Sequence, residues 1–600
     1  MTVTGRERQA NAPTRRRLGH ILAVIAVVAL LLFARLIMLQ IFQADSLAQT
    51  ASAFRSRSYT QEALRGRILD SEGGVLAGSG AKYNVRADQK AVSEYVKYGS
   101  DGKIKSAGAV AVAEELAPIL GMDRAELGGI LISGKRKNQW LLLAKGLSTE
   151  KWREIEKKKI RGIFPERYME RIYPNGTVAG SVLGFVGKTE QGDTVAGRAG
   201  VEQSMNSVLT GKNGKLTVEV GPDGTVFPQA KRSETPAVNG RDIKLTINRD
   251  LQKLSENLLH DTVERYGADW ASAVVAEVGT GRILALADSG TYNPADVAKN
   301  MPKSFTSPAV GSIIEPGSVG KVVTFSTAVD QNKAKPLDTF TVPYQITMPN
   351  GEVFHDDEQH PTQRMTMAGI VAKSLNTGTV QIGDRVPAET RYEYLRRFGF
   401  GARTGVEIGG EEPGILRPVK SWDRRARYTT MFGQSYAVTP IQLASMIATV
   451  AGGGVKYPLH LIDGVYGAQG NFEPKVTGRP QQVLRKETAK TIMELLQGVT
   501  KKGGTAPGAA IDGYNVAGKT GTAQILGRGG TLAGTVGSFV GAVPAENPKI
   551  AVAVSVRKSG GVAYGGMVAA PVFSEIGKFA MRMLKVPPSS VPPADLPWTR

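Results

Sequence analysis

A long apolar segment near the N-terminus constrains the fold of this chain more than any other feature. Residues 18–42 read LGHILAVIAVVALLLFARLIMLQIF. About 20 predominantly apolar residues are enough for an α-helix to cross the hydrocarbon core of a bilayer. A cleaved signal peptide is the alternative, but the apolar stretch resumes after Arg35, and the first A-x-A-like cleavage site, Ala51 to Ala53, lies far downstream. We therefore predict a retained transmembrane anchor at 18–42.

The charge of the residues before the anchor predicts the orientation of the anchor in the membrane. Residues 1–17 contain five arginines and one glutamate, and an excess of basic residues marks the cytoplasmic side of a membrane helix. No second apolar run of spanning length follows. We expect a single-pass protein with a cytoplasmic tail at 1–17 and residues 43–600 outside the cytoplasm.

The composition of the chain limits the kinds of binding partner and the kinds of catalytic or metal site that it can have. A chain of 600 residues exceeds one hydrophobic core, and its net charge of +21 suits anionic surroundings such as nucleic acid, acidic phospholipid or a carboxylate- and phosphate-rich polymer. Nucleic acid is not expected, because no nucleic-acid motif and no basic run interleaved with aromatic residues occurs. The absence of cysteine excludes disulfides, thiolate metal sites and cysteine nucleophiles. The run HDDEQH at 355–360 lacks the H-E-x-x-H spacing, and we interpret it as an acidic surface loop without metal.

The pattern of apolar and turn-forming residues changes at about residue 240. The turn-rich segment 221–242 separates a first region at 43–240 from a second at 241–585, and a Pro-rich tail follows at 586–600. In the second region, apolar runs at 271–278 and 281–287 are joined by a Gly-containing turn, which predicts an antiparallel hairpin.

The rest of the second region predicts one sheet built from both ends of the domain. Strand patterns return at 514–518, 537–543 and 549–556, whereas helical patterns fill the middle, as at 440–452 and 486–500. The predicted fold class is therefore α+β, with an antiparallel sheet flanked by helices and a helical subdomain inserted between its strands.

The segment GYNVAGKT at 513–520 matches the phosphate-binding loop pattern G-x-x-x-x-G-K-[ST]. That site needs a helix directly after Lys519 and Thr520, because the phosphates bind to the free N–H groups of that helix. The chain instead continues as GTAQILGRGG, which disfavours a helix. We interpret the segment as a strand that carries Lys519-Thr520-Gly521 on a sheet edge.

K-[TS]-G also belongs to the serine acyltransferase motifs, together with S-x-x-K and S-x-N. Each motif recurs by itself in this chain, at Ser79, Ser100, Ser148 and Ser318 for the first, Ser204, Ser255 and Ser374 for the second, and Lys519 and Lys558 for the third. Context selects the ordered set Ser318, Ser374 and Lys519. Ser318 follows a Pro-Gly turn and opens a helical pattern with Lys321 one turn on, on the same face. For Ser318 considered alone, a helix-capping serine is the alternative.

With these motifs in order, the chain resembles the class B penicillin-binding proteins, membrane-anchored D,D-transpeptidases of peptidoglycan synthesis. The resemblance covers nearly the whole chain, through RGRILDSEGGVLA (65–77), ERIYPNGTVAGSVLGFVG (170–187) and GVEQ (200–203), and then LTINRDLQ, EPGSVGK, KSLNTGT, FGFGARTGVEIGGE, GQSYAVTPIQLA, VAGKTGTAQ and SFVGAVPAENPKIAVAV. The single anchor, RLIMLQ at its outer end and the length resemble the septal type more than the elongation type. Two departures are Ser71-Glu72-Gly73, where Arg-Asn-Gly is usual, and Val319-Gly320, where a Thr-aromatic pair is commoner.

The resemblance implies a fold and a set of catalytic residues. The fold is a serine β-lactamase/transpeptidase-like domain at 241–585 on an elongated pedestal of the dimerisation type at 43–240. Ser318 is the implied nucleophile and Lys321 its base, which requires a lowered lysine pKa. Ser374 shuttles a proton to the leaving amine, and Asn376 orients the substrate amide and Lys321.

Substrate binding is implied for the third motif. Lys519 supplies positive potential, the hydroxyls of Thr520 and Thr522 suit the terminal carboxylate of a stem peptide, and Gly521 allows close backbone approach. The backbone N–H groups of Ser318 and Thr522 form the implied oxyanion hole.

The implied partners are stem peptides and their lipid-linked precursor, β-lactam antibiotics as covalent inhibitors, and the membrane. Because no glycosyltransferase domain is recognised, a multi-span glycan polymerase and divisome proteins complete the expected set. No cofactor is implied. The alternatives are an elongation-type enzyme, a serine β-lactamase, a β-lactam sensor and a catalytically inactive cell-wall scaffold.

Overall fold

The computed structural model describes residues 12–133, 140–189, 195–221, 232–299, 301–302, 304–526 and 532–600. Residues 1–11 of the predicted cytoplasmic tail lie outside the described residues. The chain divides into two compact units, Met1–Ala63 with Lys212–Val238, and Leu64–Gly211 with Asn239–Arg600. Parts of the region predicted as a pedestal at 43–240 thus occur in both units.

The described helices are numbered in chain order. They are α1 (Ala12–Ile37), α2 (Ala44–Arg55), α3 (Gln89–Ser93), α4 (Gly108–Leu120), α5 (Arg124–Ile132), α6 (Thr149–Lys157), α7 (Gly180–Leu183), α8 (Gly200–Ser204), α9 (Asn206–Leu209), α10 (Arg249–Tyr266), α11 (Pro308–Gly311), α12 (Lys321–Asp330), α13 (Met367–Lys373), α14 (Asn376–Gly383), α15 (Ala388–Arg397), α16 (Ala426–Thr429), α17 (Pro440–Ala451), α18 (Lys486–Thr500), α19 (Gly565–Val568) and α20 (Ala570–Met583).

The described strands are numbered in the same way. They are β1 (Ser56–Gln61), β2 (Ile68–Leu69), β3 (Val75–Ala87), β4 (Val96–Tyr98), β5 (Ile104–Ala107), β6 (Leu141–Leu147), β7 (Ile163–Ile172), β8 (Val186–Lys188), β9 (Val195–Gly197), β10 (Gly214–Glu219), β11 (Ser233–Thr235), β12 (Ile243–Leu245), β13 (Trp270–Glu277), β14 (Ile283–Asp288), β15 (Thr339–Val342), β16 (Gln345–Thr347), β17 (Val353–His355), β18 (Gln363–Thr366), β19 (Val455–Lys456), β20 (Ile462–Tyr466), β21 (Phe472–Pro474), β22 (Gln481–Gln482), β23 (Ala517–Leu526), β24 (Leu532–Val543) and β25 (Ile550–Ser559).

The first unit contains the predicted anchor. Helix α1 continues as a π-helix over Met38–Phe42, and the segment Arg15–Phe42 is 28 residues long and contains an 18-residue window with a mean hydropathy of 2.9. Its large apolar side chains are exposed, whereas a soluble protein buries a helix that is apolar all round. This helix therefore indicates a single-pass membrane anchor. In the same unit, β1, β10 and β11 form a small antiparallel sheet.

In the second unit, strands β2, β3, β6 and β7 of residues 64–211 join β12, β20 and β21 in a seven-stranded sheet, and residues 64–211 also contain a small core. Strand β3 pairs with β2, β6 and β7, all antiparallel. Helices α4 to α6 bury apolar side chains such as Leu116, Leu127 and Ile155 in this core. Their starts follow local capping rules: the Asp123 side chain accepts from the N–H groups that open α5, and the Ser148 hydroxyl accepts from Lys151 N at the start of α6.

A buried ion triad lies in the same part of the second unit. Glu202 of the GVEQ segment accepts hydrogen bonds from Arg65 Nε and Arg171 Nε, each at 2.6 Å. The side chain of Glu202 is 0% exposed, and those of Arg171 and Arg65 are 3% and 10% exposed. The one carboxylate therefore pairs with two guanidinium groups that solvent barely reaches.

The Ser71-Glu72-Gly73 departure preserves the local turn. Asp70 Oδ1 accepts hydrogen bonds from the backbone N–H groups of Glu72 and Gly74, and Gly73 has φ +90°. Glu72 Oε1 accepts from Asn248 Nδ2 at 3.0 Å, and Asn248 caps α10. Glutamate thus supplies a contact with the start of α10.

A large sheet of five strands has the order β14-β13-β25-β24-β23 and is antiparallel throughout. This order confirms the predicted hairpin and the predicted sheet built from both ends of the domain. Helices α10 and α20 contact the sheet and each other, as do α17 and α18, and the central strands are buried. The three predicted strands differ from the observed ones in their bounds. The structure has β23 at Ala517–Leu526 rather than 514–518, β24 at Leu532–Val543 rather than 537–543, and β25 at Ile550–Ser559 rather than 549–556.

Candidate active site

The turn that carries Ser318 is clamped between two other segments. Ser318 lies in a 3-10 turn, Gly317–Gly320, that leads directly into α12. Gly317 has φ +52°, and a Cβ there would lie 2.8 Å from the Thr522 carbonyl oxygen on β23. Gly317 N donates to the Gly433 carbonyl at 2.9 Å. Only glycine fits this position, so the turn that carries Ser318 is held close to the third motif.

The Val319-Gly320 departure has a packing cause. Gly320 has φ −60°, a conformation open to any residue. A Cβ at this position would overlap the Tyr436 hydroxyl and would lie 2.7 Å from Gly433 Cα. Tyr436 is fully buried and stacks on Phe400 with ring centroids 5.9 Å apart. In this chain an aromatic ring from residue 436 occupies the space beside the turn that a side chain at 320 would need.

Two buried lysines converge on Ser374. Lys321 Nζ donates to the Ser374 carbonyl at 2.5 Å and to Ser374 Oγ at 3.3 Å, and Lys519 Nζ donates to Ser374 Oγ at 2.7 Å. Both lysines are 0% exposed. Ser374 caps the C-terminus of α13 in the left-handed conformation, with φ +59°. The fold therefore brings together the three motifs that the sequence analysis selected.

Burial lowers the pKa of both lysines in this cluster, so that more of the neutral amine is present near pH 7. Burial lowers the pKa of Lys321 to about 8, although the charges of Asp357 and Asp356 partly oppose this shift. Burial also lowers the pKa of Lys519 well below its ordinary value, and the neighbouring Lys321 charge lowers it further. At pH 7 roughly one in ten amines with a pKa of about 8 is neutral, against about one in 3,000 for an ordinary lysine. A neutral Lys321 can accept the proton of a serine hydroxyl.

We expect the rate of acylation at Ser318 to rise with pH through a midpoint near 8, because Lys321 must be neutral to act as a base and its pKa is about 8. The measurement is the second-order rate constant for acylation by a β-lactam whose charge is constant between pH 6 and 10. Lys321→Arg is the control, since a guanidinium stays charged over this range, and it should react at least about 100-fold more slowly. A flat profile, or a midpoint near 10.5, would contradict the assignment of Lys321 as the base.

Asn376 makes contacts other than those expected. Its Nδ2 donates to the His355 carbonyl at 3.1 Å, while both acceptors that Lys321 Nζ uses belong to Ser374. The side-chain amide is thus directed at the 355–360 segment in this structure. Orientation of a substrate amide by Asn376 stays a prediction.

The 355–360 segment is part of the site, so its interpretation as a mere acidic surface loop is wrong for Asp356. Asp356 is 2% exposed, and its carboxylate accepts from Asn376 N, from Thr377 N at 3.1 Å and from Thr377 Oγ1 at 2.8 Å. His360 Nε2 lies 2.9 Å from Asp356 Oδ2. A carboxylate that binds the first N–H groups of α14 fixes the S-x-N motif. No local signal marks this role, because Asp356 precedes α14 by 20 residues.

The third motif lies on the edge strand β23 of the large sheet. Lys519 and Thr520 are inside the strand, so no helix follows them and the phosphate-loop alternative is excluded. Thr520 Oγ1 lies 2.8 Å from Thr505 Oγ1. A Cβ on Gly521 would lie 2.8 Å from the Pro316 carbonyl oxygen, so glycine lets β23 pass the turn that carries Ser318. Thr522 is half-buried on the same side of the strand as Thr520.

Comparisons with known proteins agree with this architecture. The model of the penicillin binding protein transpeptidase domain matches residues 271–578, and that of the penicillin-binding protein dimerisation domain matches residues 60–245. Penicillin-binding protein PbpB of Mycolicibacterium smegmatis is 30% identical, over 99% of this chain and 94% of its own. Peptidoglycan D,D-transpeptidase FtsI of Escherichia coli is 28% identical, over 94% of this chain and 91% of its own.

Solved structures show the same fold. A peptidoglycan synthetase from Bifidobacterium adolescentis has 35% identity and a TM-score of 0.69, over 91% of this chain and 100% of its own. Penicillin binding protein 3 from Mycobacterium tuberculosis, solved in complex with aztreonam, has 27% identity and a TM-score of 0.66, over 90% of this chain and 99% of its own. The chain belongs to the penicillin-binding proteins, as a class B peptidoglycan D,D-transpeptidase related over nearly its full length to the PbpB and FtsI proteins.

Proposed function

We propose that this protein cross-links peptidoglycan stem peptides at the division septum through an acyl-enzyme on Ser318, and that β-lactams inhibit it by acylating the same serine. The observation that carries the proposal is the convergence of Lys321 and Lys519 on Ser374 beside the Ser318 turn. Such an arrangement supplies a base and a proton relay on either side of one reacting bond.

In the first half-reaction, Ser318 Oγ attacks the carbonyl carbon of the penultimate D-Ala while its proton passes to neutral Lys321. The N–H groups of Ser318 and Thr522 bind the oxyanion that develops. The C–N bond then breaks, and the leaving amine of the terminal D-Ala takes a proton through Ser374. The products are free D-Ala and an ester between Ser318 and the donor peptide.

In the second half-reaction, an amine of a neighbouring stem peptide attacks that ester. Its proton is taken up by the Lys321 and Ser374 relay, and Ser318 leaves with a proton returned to Oγ. The terminal carboxylate of the donor is bound by Lys519 and the hydroxyls of Thr520 and Thr522 during the first half-reaction, and it leaves the site with the free D-Ala. The site residues thus bind the end of one stem peptide and replace the amine of its terminal D-Ala with the amine of a neighbouring stem peptide.

The setting of the reaction follows from the anchor and the charge. Five arginines in residues 1–17, before the apolar segment 18–42, support a cytoplasmic N-terminus and an extracytoplasmic catalytic domain. The net charge of +21 suits a polymer rich in carboxylates. We propose that a multi-span glycan polymerase and other divisome proteins supply the glycan strands. Loss of co-purification with such a polymerase when α1 is replaced by an unrelated anchor would support this, and co-purification that is unaffected by replacing both α1 and residues 43–240 would contradict it.

The test of the proposed activity is turnover of a D-Ala-D-Ala-type thioester by the full-length chain in detergent, with a D-amino acid as acceptor amine. We expect transfer to the amine to exceed hydrolysis. Ser374→Ala should lower the transfer rate about 100- to 1,000-fold because it removes the proton relay. Hydrolysis of β-lactams as fast as transfer would point to a β-lactamase, and folded protein without turnover would point to an inactive scaffold.

A further inference from the structure

The segment Ala594–Thr599, here named the strap, lies on the helix that carries Ser374. Thr366 N donates to the Trp598 carbonyl at 2.9 Å, and Thr366 Oγ1 donates to the Pro597 carbonyl at 2.6 Å. Met365 and Thr599 form an antiparallel bridge. The strap therefore pairs with the end of β18, directly before α13. A Pro-rich composition predicts an extended segment, but it gives no reason to expect this docking.

The strap also contacts the two helices that lie side by side at this point. Trp598 lies with its ring centroid 5.6 Å from Lys373 Nζ at the end of α13. Against α18, Ala594 N donates to Gln497 Oε1 at 2.9 Å, and the Trp598 indole nitrogen lies 3.4 Å from the position of a Cβ on Gly498. The pair Lys501 and Asp595 adds little, because Asp595 is 97% exposed.

One glycine of α13 is required by the strap. A Cβ on Gly369 would overlap the Trp598 carbonyl oxygen. Gly369 lies inside the regular helix α13, so its backbone conformation is open to any residue and only the space is restrictive. The sequence of α13 is thus adapted to close contact with the strap.

Both ends of α13 depend on this contact. Thr366 caps the N-terminus by accepting from Gly369 N at 3.1 Å, and the same hydroxyl donates to the strap. Lys373, beneath the Trp598 ring, is the last residue of the helix, and Ser374 follows as its cap. A helix of seven residues is marginal by itself, so its position is set by its neighbours.

We propose that the strap is a positioning element for the acyl-transfer reaction: it holds α13 so that Ser374 stays between Lys321 and Lys519, and Trp598 is its principal positioning residue. This inference rests on the proposed function of Ser318 and Ser374. When the strap is lost, Ser374 should move away from Lys321, whose charged form then loses two hydrogen-bond acceptors. The other charged groups that face Lys321, which are Lys519, Asp356 and Asp357, belong to other segments.

The experiment compares acylation by a β-lactam in the full-length chain and in strap variants, at a temperature where circular dichroism shows each to be fully folded. We expect Trp598→Ala and deletion of residues 594–600 to slow acylation at least tenfold and to shift the midpoint of its pH profile downward. Trp598→Phe should retain most of the rate, because an aromatic ring still covers Lys373. Asp595→Asn is the matched control within the strap and should react as the unmodified chain does.

Lys373→Met provides a milder variant if the deletion prevents folding, since it removes only the cation beneath the ring, and we expect a two- to fivefold slower reaction. Folded Trp598→Ala that acylates within twofold of the unmodified chain would overturn the proposal. So would a slower rate with an unshifted pH midpoint, because Lys321 would then have kept its contacts with Ser374 and the strap would not position that serine. Failure of the unmodified chain to acylate would instead contradict the proposed function.

Discussion

Replacing Ser318 with alanine should abolish covalent labelling by a fluorescent penicillin and lower thioester turnover by about 10⁴-fold or more. The reason is chemical: the side chain at 318 supplies the only atom that becomes bonded to the acyl group in the proposed mechanism. The turn itself should persist, because its shape depends on Gly317, on Gly433 and on the packing of Tyr436. The measurement is in-gel fluorescence followed by mass spectrometry of the labelled peptide.

The other S-x-x-K serines supply matched controls for this prediction. Ser148 caps α6, and Ser79 Oγ donates to the Arg65 carbonyl at 3.0 Å, so each has a structural partner. Ser148→Ala and Ser79→Ala should be labelled like the unmodified chain. A label on the Ser318→Ala variant, or an adduct located on a peptide without Ser318, would refute the assignment of the nucleophile.

Much of the catalytic domain's secondary structure was predictable because its signals are local. The helical patterns at 440–452 and 486–500 correspond to α17, which is buried on nearly every side, and to α18, which buries Ala489, Ile492, Met493 and Leu496 at helical spacing. The hairpin of β13 and β14 likewise has a turn marked by its glycines. The start of β23 was less predictable, because pairing with β24 determines where that strand begins and such pairing depends on distant residues.

The residues of the candidate site likewise divide into those with a local sequence signal and those that only distant parts of the chain position. Ser318 and Lys321 were found from spacing on one helix face, a local property. The contact of Lys519 with Ser374 joins residues 145 positions apart, so the ordered motifs could suggest it but only the fold brings it about. Asp356 and the strap gave no usable signal, since a buried cap from a distant loop resembles any other acidic residue in the sequence.

The Glu202 triad should dominate the stability of the region around it, and we expect Glu202→Gln to destabilise the second unit by about 3–5 kcal/mol. The glutamate is 0% exposed and accepts from both Arg65 Nε and Arg171 Nε at 2.6 Å. Substitution removes the charge but leaves two guanidinium groups close together with little access to water. Arg171 Nη2 has no hydrogen-bond partner among the described residues, so no spare acceptor compensates for the loss. The measurement is the denaturant midpoint of the transition that reports on this unit.

Two further variants distinguish the effect of leaving a buried charge unpaired from the effect of losing any ion pair. Glu494→Gln removes an exposed partner of Lys490 at 4.0 Å and should change stability by less than about 0.5 kcal/mol. Replacing all three members of the triad by apolar residues of similar size should cost less than Glu202→Gln alone, because no buried charge is then left without a partner. A loss of stability from Glu202→Gln as small as that from Glu494→Gln would mean that water reaches the guanidinium groups. The GVEQ segment would then not stabilise this unit through the buried triad.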